Sequence, residues 1–197
     1  MSTPDSDPEL EIALAEYAHI NELRNQIDQK SSNRFNFYLA LVTAVIAVSA
    51  GLLPERPDDQ TVLALAAIAL LFGISIFARQ VAFTSYSARL KASGNAIRVY
   101  LARRAPDLKP YLLLPVGADR GAFPARLSPF GGFAGTIGIL NSAIVGFGFS
   151  LLIGNLLPGA IVFAAALTGH LVYVYDSRNA TARAIAAIYE QRGLTSD

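Results

Sequence analysis

The sequence predicts an all-α polytopic membrane protein, with four transmembrane helices in two hairpins and cytoplasmic amphipathic helices attached. Three observations predict it. Leu127 to Tyr175 is an uncharged run of 49 residues, about twice the ~20 apolar residues that cross a bilayer once. Two more uncharged runs, Phe35 to Leu53 and Thr61 to Ala78, flank a short polar loop. Basic residues collect on one side of all these runs, as the positive-inside rule requires of cytoplasmic segments. Composition agrees: 53% of the 197 residues are hydrophobic and only 16% are charged. A net charge of +1 offers no global basic field, so no nucleic-acid partner is expected. The absence of Cys excludes disulfides, thiolate metal sites and a Cys nucleophile.

Residues 1–34 read as an acidic cytoplasmic amphipathic helix. Asp7-Pro8 supplies a capping acceptor followed by Pro at the first helical position. Leu10, Ala13, Tyr17, Ile20 and Ile27 then recur at helical spacing. Up to Leu23 the chain carries Glu9, Glu11, Glu16 and Glu22 but no Lys or Arg. No Pro or Gly interrupts the passage through Arg24, Lys30 and Arg34, so this helix is expected to run into the first span. His19 reads as a solvated surface residue. The acidic start lacks a basic n-region, so no cleaved signal peptide is expected.

Residues 35–79 form the first hairpin. Phe35 to Leu53 is the first span, with Phe37 and Tyr38 where interfacial aromatics belong. The loop through Glu55, Arg56, Asp58 and Asp59 is short enough to make the helices antiparallel neighbours. Its carboxylates read as a solvated turn. Thr61 to Ala78 is the second span, closed by Arg79.

Residues 80–129 combine a basic amphipathic helix with a Pro-rich loop. Phe83, Tyr86, Leu90, Gly94, Ile97 and Leu101 share a stripe, while Arg89, Lys91, Arg98, Arg103 and Arg104 supply charge. Two roles compete for these five cations: contact with anionic lipid headgroups, or docking against the acidic helix through Glu11, Glu16 and Glu22. Prolines from Pro106 to Pro129 then punctuate an irregular loop.

Residues 130–176 form the second hairpin, with spans at about Phe130 to Ile153 and Leu156 to Tyr175, broken by Asn155-Leu156-Leu157-Pro158-Gly159. Gly138, Ser142, Gly146, Ser150 and Gly154 place a small residue every fourth position, a ridge that lets helix backbones approach closely in lipid. Packing against another span, a homo-oligomer contact and a pore-lining face are the three uses open to it. Asn141 and His170 are the candidate intramembrane polar residues; such groups are costly at depth and serve either function or interhelical bonding. Residues 177–197 continue as a cytoplasmic tail.

Fifteen of the 16 basic residues fall on the side of the two termini, leaving Arg56 opposite. Both termini are therefore expected in the cytoplasm, with the chain in the inner (plasma) membrane. No metalloprotease, nucleophile-elbow or P-loop motif is present. Catalytic residues, cofactors and metals are accordingly expected to be none. The expected partners are the lipid bilayer and a further copy or another membrane protein. A non-catalytic structural or interaction role leads, ahead of a small transporter or pore-forming effector, with a membrane-embedded enzyme third.

Two stretches carry a likeness. Glu16-Tyr17 with Ile20, Leu23 and Ile27, then Asn33-Arg34-Phe35-Asn36-Phe37, form one. Asn95-Ala96-Ile97-Arg98-Val99-Tyr100, with Ala105-Pro106-Asp107-Leu108 and Tyr111-Leu112-Leu113-Leu114-Pro115, forms the other. Together they resemble a bacterial four-span integral membrane protein family to which no activity is attached. The pairing of a cytoplasmic helix with spans is also similar to small membrane effectors of bacterial nucleotide-sensing defence systems, which have two spans where four are expected here.

Overall fold

The computed structural model describes residues 7–50, 58–105, 107 and 132–191. Among them there are four α-helices and no strand: α1 (Pro8–Ser49), α2 (Asp59–Arg104), α3 (Gly132–Ile153) and α4 (Leu156–Gln191). Helix α1 starts where the capping signal placed it, with Asp7 Oδ1 accepting from the Glu9 amide at 3.2 Å. It then runs unbroken for 42 residues, because nothing in its sequence breaks it. Helix α2 absorbs the second span and the basic amphipathic segment into one rod of 46 residues. Asp58 caps it, accepting from the Thr61 amide at 2.7 Å. The Pro-rich loop lies outside the described residues, as does Glu55.

Three helices, α2, α3 and α4, are long and apolar enough to cross a membrane; α1 is not among them. Four such helices are expected from the sequence, and the difference is one of length. After Arg34 the described part of α1 has only residues 35–49 as uncharged helix. That is about 15 residues or 22 Å, against a hydrocarbon core of ~30 Å.

The break between α3 and α4 is narrower than the five-residue stretch read from the sequence. It is confined to Gly154, in left-handed backbone at φ 70°, and Asn155. Gly154 donates to the Ser150 carbonyl at 2.9 Å, and Asn155 Oδ1 accepts from the Leu157 amide at 3.0 Å. Pro158 is tolerated inside α4 because the first-turn amides of a helix have no carbonyl to bond.

Contacts divide the chain into two units that cut across sequence order. One comprises Gln29–Thr84 and Leu127–Arg178. Its core is Tyr38, Val42, Ile76, Phe77, Val81, Ile137 and Val174, flanked by Phe35, Ala134, Leu140 and Ile144. Here α1 and α2 run antiparallel: Tyr38 meets Gly73, and the Gln80 amide donates to Ser31 Oγ. The face turned away from this core is apolar, with Ile68, Leu71, Phe72, Phe147, Leu152 and Ile161 among its exposed side chains. Phe35 stacks on Phe133 at 4.4 Å between centroids, and the Arg34 guanidinium lies 4.9 Å above the Phe83 ring.

The other unit comprises Met1–Asp28, Ser85–Arg126 and Asn179–Asp197. Its buried side chains are small or aliphatic: Ile20, Ile27, Leu90, Ala92, Ala96, Ala102 and Ile185, with Thr181. Gly94 of α2 receives Tyr17 and Ile20 of α1. Farther along, Arg104 pairs with Asp7 and with Glu9, the latter at 3.0 Å. Helices α1 and α2 are antiparallel in this unit too, and in Tyr17/Gly94 and Asp7/Arg104 the residue numbers add to 111.

Candidate functional site

Polar side chains are concentrated inside the Gln29–Thr84/Leu127–Arg178 unit, on faces that lipid would not reach. Helix α3 is the centre of this seam because it carries Asn141 and Ser142 side by side, and successive helical residues point about 100° apart. Asn141 therefore faces α1 and α2 while Ser142 faces α4. Both are fully buried.

On the first side, the Tyr38 phenol donates to Asn141 Oδ1 at 2.6 Å. Gly73 of α2 closes the cluster: a Cβ there would run into Asn141 Oδ1 and stand 2.9 Å from the Tyr38 ring. Only glycine lets α2 come this close. Asn141 Nδ2 is buried without a hydrogen-bond partner. Such an orphan costs ~1–3 kcal/mol where water is excluded, so this amide is not there for stability alone. Gln80 repeats the pattern, with its Oε1 buried and unpartnered while its amide nitrogen serves Ser31.

On the second side, His170 of α4 lies against Ser142 and edge-on to Phe77, 4.6 Å between ring centroids. Its Nδ1 is 2.8 Å from the Ala166 carbonyl and 3.3 Å from Ser142 Oγ. A carbonyl only accepts, so Nδ1 carries the hydrogen and Nε2 keeps the lone pair of the neutral ring. Ser142 in turn donates to the Gly138 carbonyl at 2.7 Å. A Ser–His pair at this distance invites comparison with a hydrolytic nucleophile and base. The hydrogen bonds argue against it, because a base must accept the hydroxyl proton and this nitrogen is a donor.

The small-residue ridge is used within the chain. Gly138, Ser142, Gly146 and Ser150 are all buried. A Cβ on Gly146 would stand 2.7 Å from Phe163 Cβ and 2.8 Å from the Gly159 carbonyl oxygen. A Cβ on Gly138 would stand 3.2 Å from His170 Cβ. The ridge thus meets α4. Gly154, placed on it by spacing, is exposed and serves as the turn residue.

Tyr38 reads from its position as an interfacial aromatic; it is instead completely buried, whereas its neighbour Phe37 is 56% exposed. The signal was its stripe: Ile27, Ser31, Tyr38 and Val42 follow one another at helical spacing, and all four are buried. Gly73, Gln80 and Ser31 escape sequence reasoning as well, since a lone Gly or Ser in a span carries no distinguishing mark.

The basic residues separate. Arg104 is held by Asp7 and Glu9, and it also donates to the Tyr100 phenol at 2.9 Å. These contacts, the Tyr100 hydrogen bond foremost, raise its already high pKa. Arg89, Lys91 and Arg103 are exposed, and Arg98 is partly buried with a partner of its own. The acidic-helix contact expected of Glu11, Glu16 and Glu22 is made instead by Asp7 and Glu9, because the first three point outward. His19 is exposed. Asp58 has its carboxyl held below the ordinary carboxylate range by its hydrogen bonds to the Thr61 side chain and amide. It is a helix cap, and the described residues contain no cluster of three metal-ligating side chains.

No protein-family model, no curated protein and no solved structure matches this chain.

Proposed function

We propose that the chain is a non-catalytic integral membrane protein, a structural or interaction subunit or oligomeric scaffold. In this reading it crosses a bacterial inner membrane four times in two hairpins with both termini cytoplasmic, like the four-span family it resembles. The bilayer is its first partner. The observation that carries the proposal is the inverted polarity of the Gln29–Thr84/Leu127–Arg178 unit. Ile68, Leu71, Phe72, Leu152 and Ile161 are exposed, while Tyr38, Asn141 and Ser142 are sealed inside. Water disfavours that arrangement and lipid favours it. The fourth span is completed by Phe35 to Leu53, whose last residues lie outside those described.

One observation favours a second reading, a small transporter or pore. Asn141 Nδ2 is buried without a partner, and Ser142 next to it touches His170, an ionisable ring among the apolar helices. Proteoliposomes separate the two. A scaffold gives proton and ion flux no greater than empty liposomes. Flux that is present in the wild type and lost in His170→Ala and Gly146→Leu overturns the scaffold reading in favour of transport.

A further inference from the structure

We propose that a second copy of this chain docks on the Met1–Asp28/Ser85–Arg126/Asn179–Asp197 unit, the outward strip of α1 in one copy seating on the open strip of α2 in the next. The proposal rests on the membrane reading above, because it uses the common orientation that a bilayer imposes on neighbouring copies.

The α1 strip comes first. Glu11, Ala18 and Glu22 are spaced by seven and four, which places them on one helix face. All three are exposed, and they lie opposite the face that buries Ile20 and Ile27. The α2 strip consists of Arg89, Ser93 and Arg103. The two arginines are exposed and Ser93 is half-buried. Among the described residues, neither guanidinium is committed to a carboxylate of its own chain. One strip is acidic, the other is basic, and each has a small residue between its charges.

Their heights then match. Tyr17 lies level with Gly94 and Asp7 with Arg104, so an α1 residue is level with the α2 residue that completes the sum of 111. This rule sets Glu22 level with Arg89 and Ala18 level with Ser93. Glu11 is level with Tyr100, and Arg103 lies about 4.5 Å farther along the axis, within reach of an arginine side chain. Copies related by rotation about the membrane normal keep every residue at its own height. A neighbour's α1 therefore presents carboxylate to guanidinium at both ends and the small Ala18 to the small Ser93 between them. Within one chain the strips cannot meet, because α1 is already seated on α2 through Tyr17 and Ile20.

Lipid headgroups fit this α2 strip poorly. Arg89 and Arg103 are 14 residues apart on one helix, about 21 Å, whereas a headgroup layer is roughly 5–7 Å thick. The contact uses different surfaces on the two partners, so it is heterologous and continues past a dimer into a ring or an open array.

The chain has no Cys, which makes the test direct. Glu22→Cys and Arg89→Cys, carried on two differently tagged copies and coexpressed, should give a mixed disulfide dimer on mild oxidation in native membranes. Each variant alone, and the height-mismatched pair Glu11→Cys with Arg89→Cys, should give only background. Adding Glu11→Lys to the copy with Glu22→Cys, and Arg103→Glu to the copy with Arg89→Cys, should preserve the crosslink, while either change alone lowers it. A mixed dimer no stronger than the mismatched pair overturns the interface. So does a crosslink indifferent to both charge reversals, or one in which Arg103→Glu alters only binding to anionic vesicles. The membrane reading fails separately, if alkaline carbonate strips the chain from the membrane pellet.

Discussion

The Tyr38 phenol and the Asn141 carboxamide are joined by a 2.6 Å hydrogen bond across 103 positions of sequence, with both side chains wholly removed from solvent. It ties α1 to α3 and leaves Asn141 Nδ2 without a partner. Tyr38→Phe removes the donor and orphans Oδ1 as well. Interhelical hydrogen bonds in membranes average ~0.6 kcal/mol in double-mutant cycles, but stranding a buried acceptor costs ~1–3 kcal/mol. The second effect dominates, so unfolding in micelles should show a loss of about 1–2 kcal/mol. Asn141→Leu added to Tyr38→Phe should recover part of it, because no polar group is then left stranded. If the double variant is less stable than Tyr38→Phe alone, the orphaned acceptor is not the source of the loss.

Glycine tolerance should differ sharply between two helices. A Cβ at Gly73 collides with the Asn141 carboxamide and the Tyr38 ring, while a Cβ at Gly169 has nothing within 4 Å. Gly73→Ala should cost about 1–3 kcal/mol through overpacking. Gly169→Ala should be neutral or stabilising by up to ~1 kcal/mol, the helix-propensity gain. Thermal unfolding of the two single variants side by side decides it, and equal effects would mean that Gly73 is not a contact residue.

These contrasts show which parts of the structure were legible in the sequence. The continuity of α1 was readable because no Pro or Gly interrupts it, and backbone hydrogen bonding needs no knowledge of neighbours. The ridge from Gly138 to Ser150 announced close approach, but a row of small residues does not say to which helix; Phe163 and Gly159 of α4 supply the answer only in three dimensions. Tyr38 was misplaced because its distance along the span suits an interfacial ring equally well. What decides is its direction around the helix axis, toward a partner 103 residues away. In α1 the described residues hold less of a span than the uncharged run suggests, because charge at Arg34 closes it on one side and the helix ends at Ser49 on the other.

The Arg104 contacts predict a local, salt-sensitive effect. The pairs with Asp7 and Glu9 are exposed, with side-chain exposures of 42% for Arg104, 32% for Asp7 and 74% for Glu9. Screening by salt therefore reaches them readily. Arg104→Gln should leave the unfolding midpoint within error and speed amide exchange in the first two turns of α1. High salt should produce the same acceleration in the wild type and none in the variant. Exchange that rises equally throughout α1 would show that these pairs do more than tie down its start.

Asp58 gives the pH dependence at the other end of α2. Its carboxyl titrates below the ordinary carboxylate range because the ionised form accepts from the Thr61 side chain and amide. The folded-state pKa is lowered, so its contribution is fully present above the unfolded-state value and disappears as pH falls through the folded one. Amide protection at Thr61 and Val62 should accordingly be flat at neutral pH and drop in acid. Asp58→Asn keeps a good capping oxygen without a titrating proton, so its protection should show no such drop. Asp58→Ala should lose protection at every pH. An acid-induced drop that persists in Asp58→Asn would assign the titration to another group and leave Asp58 as a cap alone.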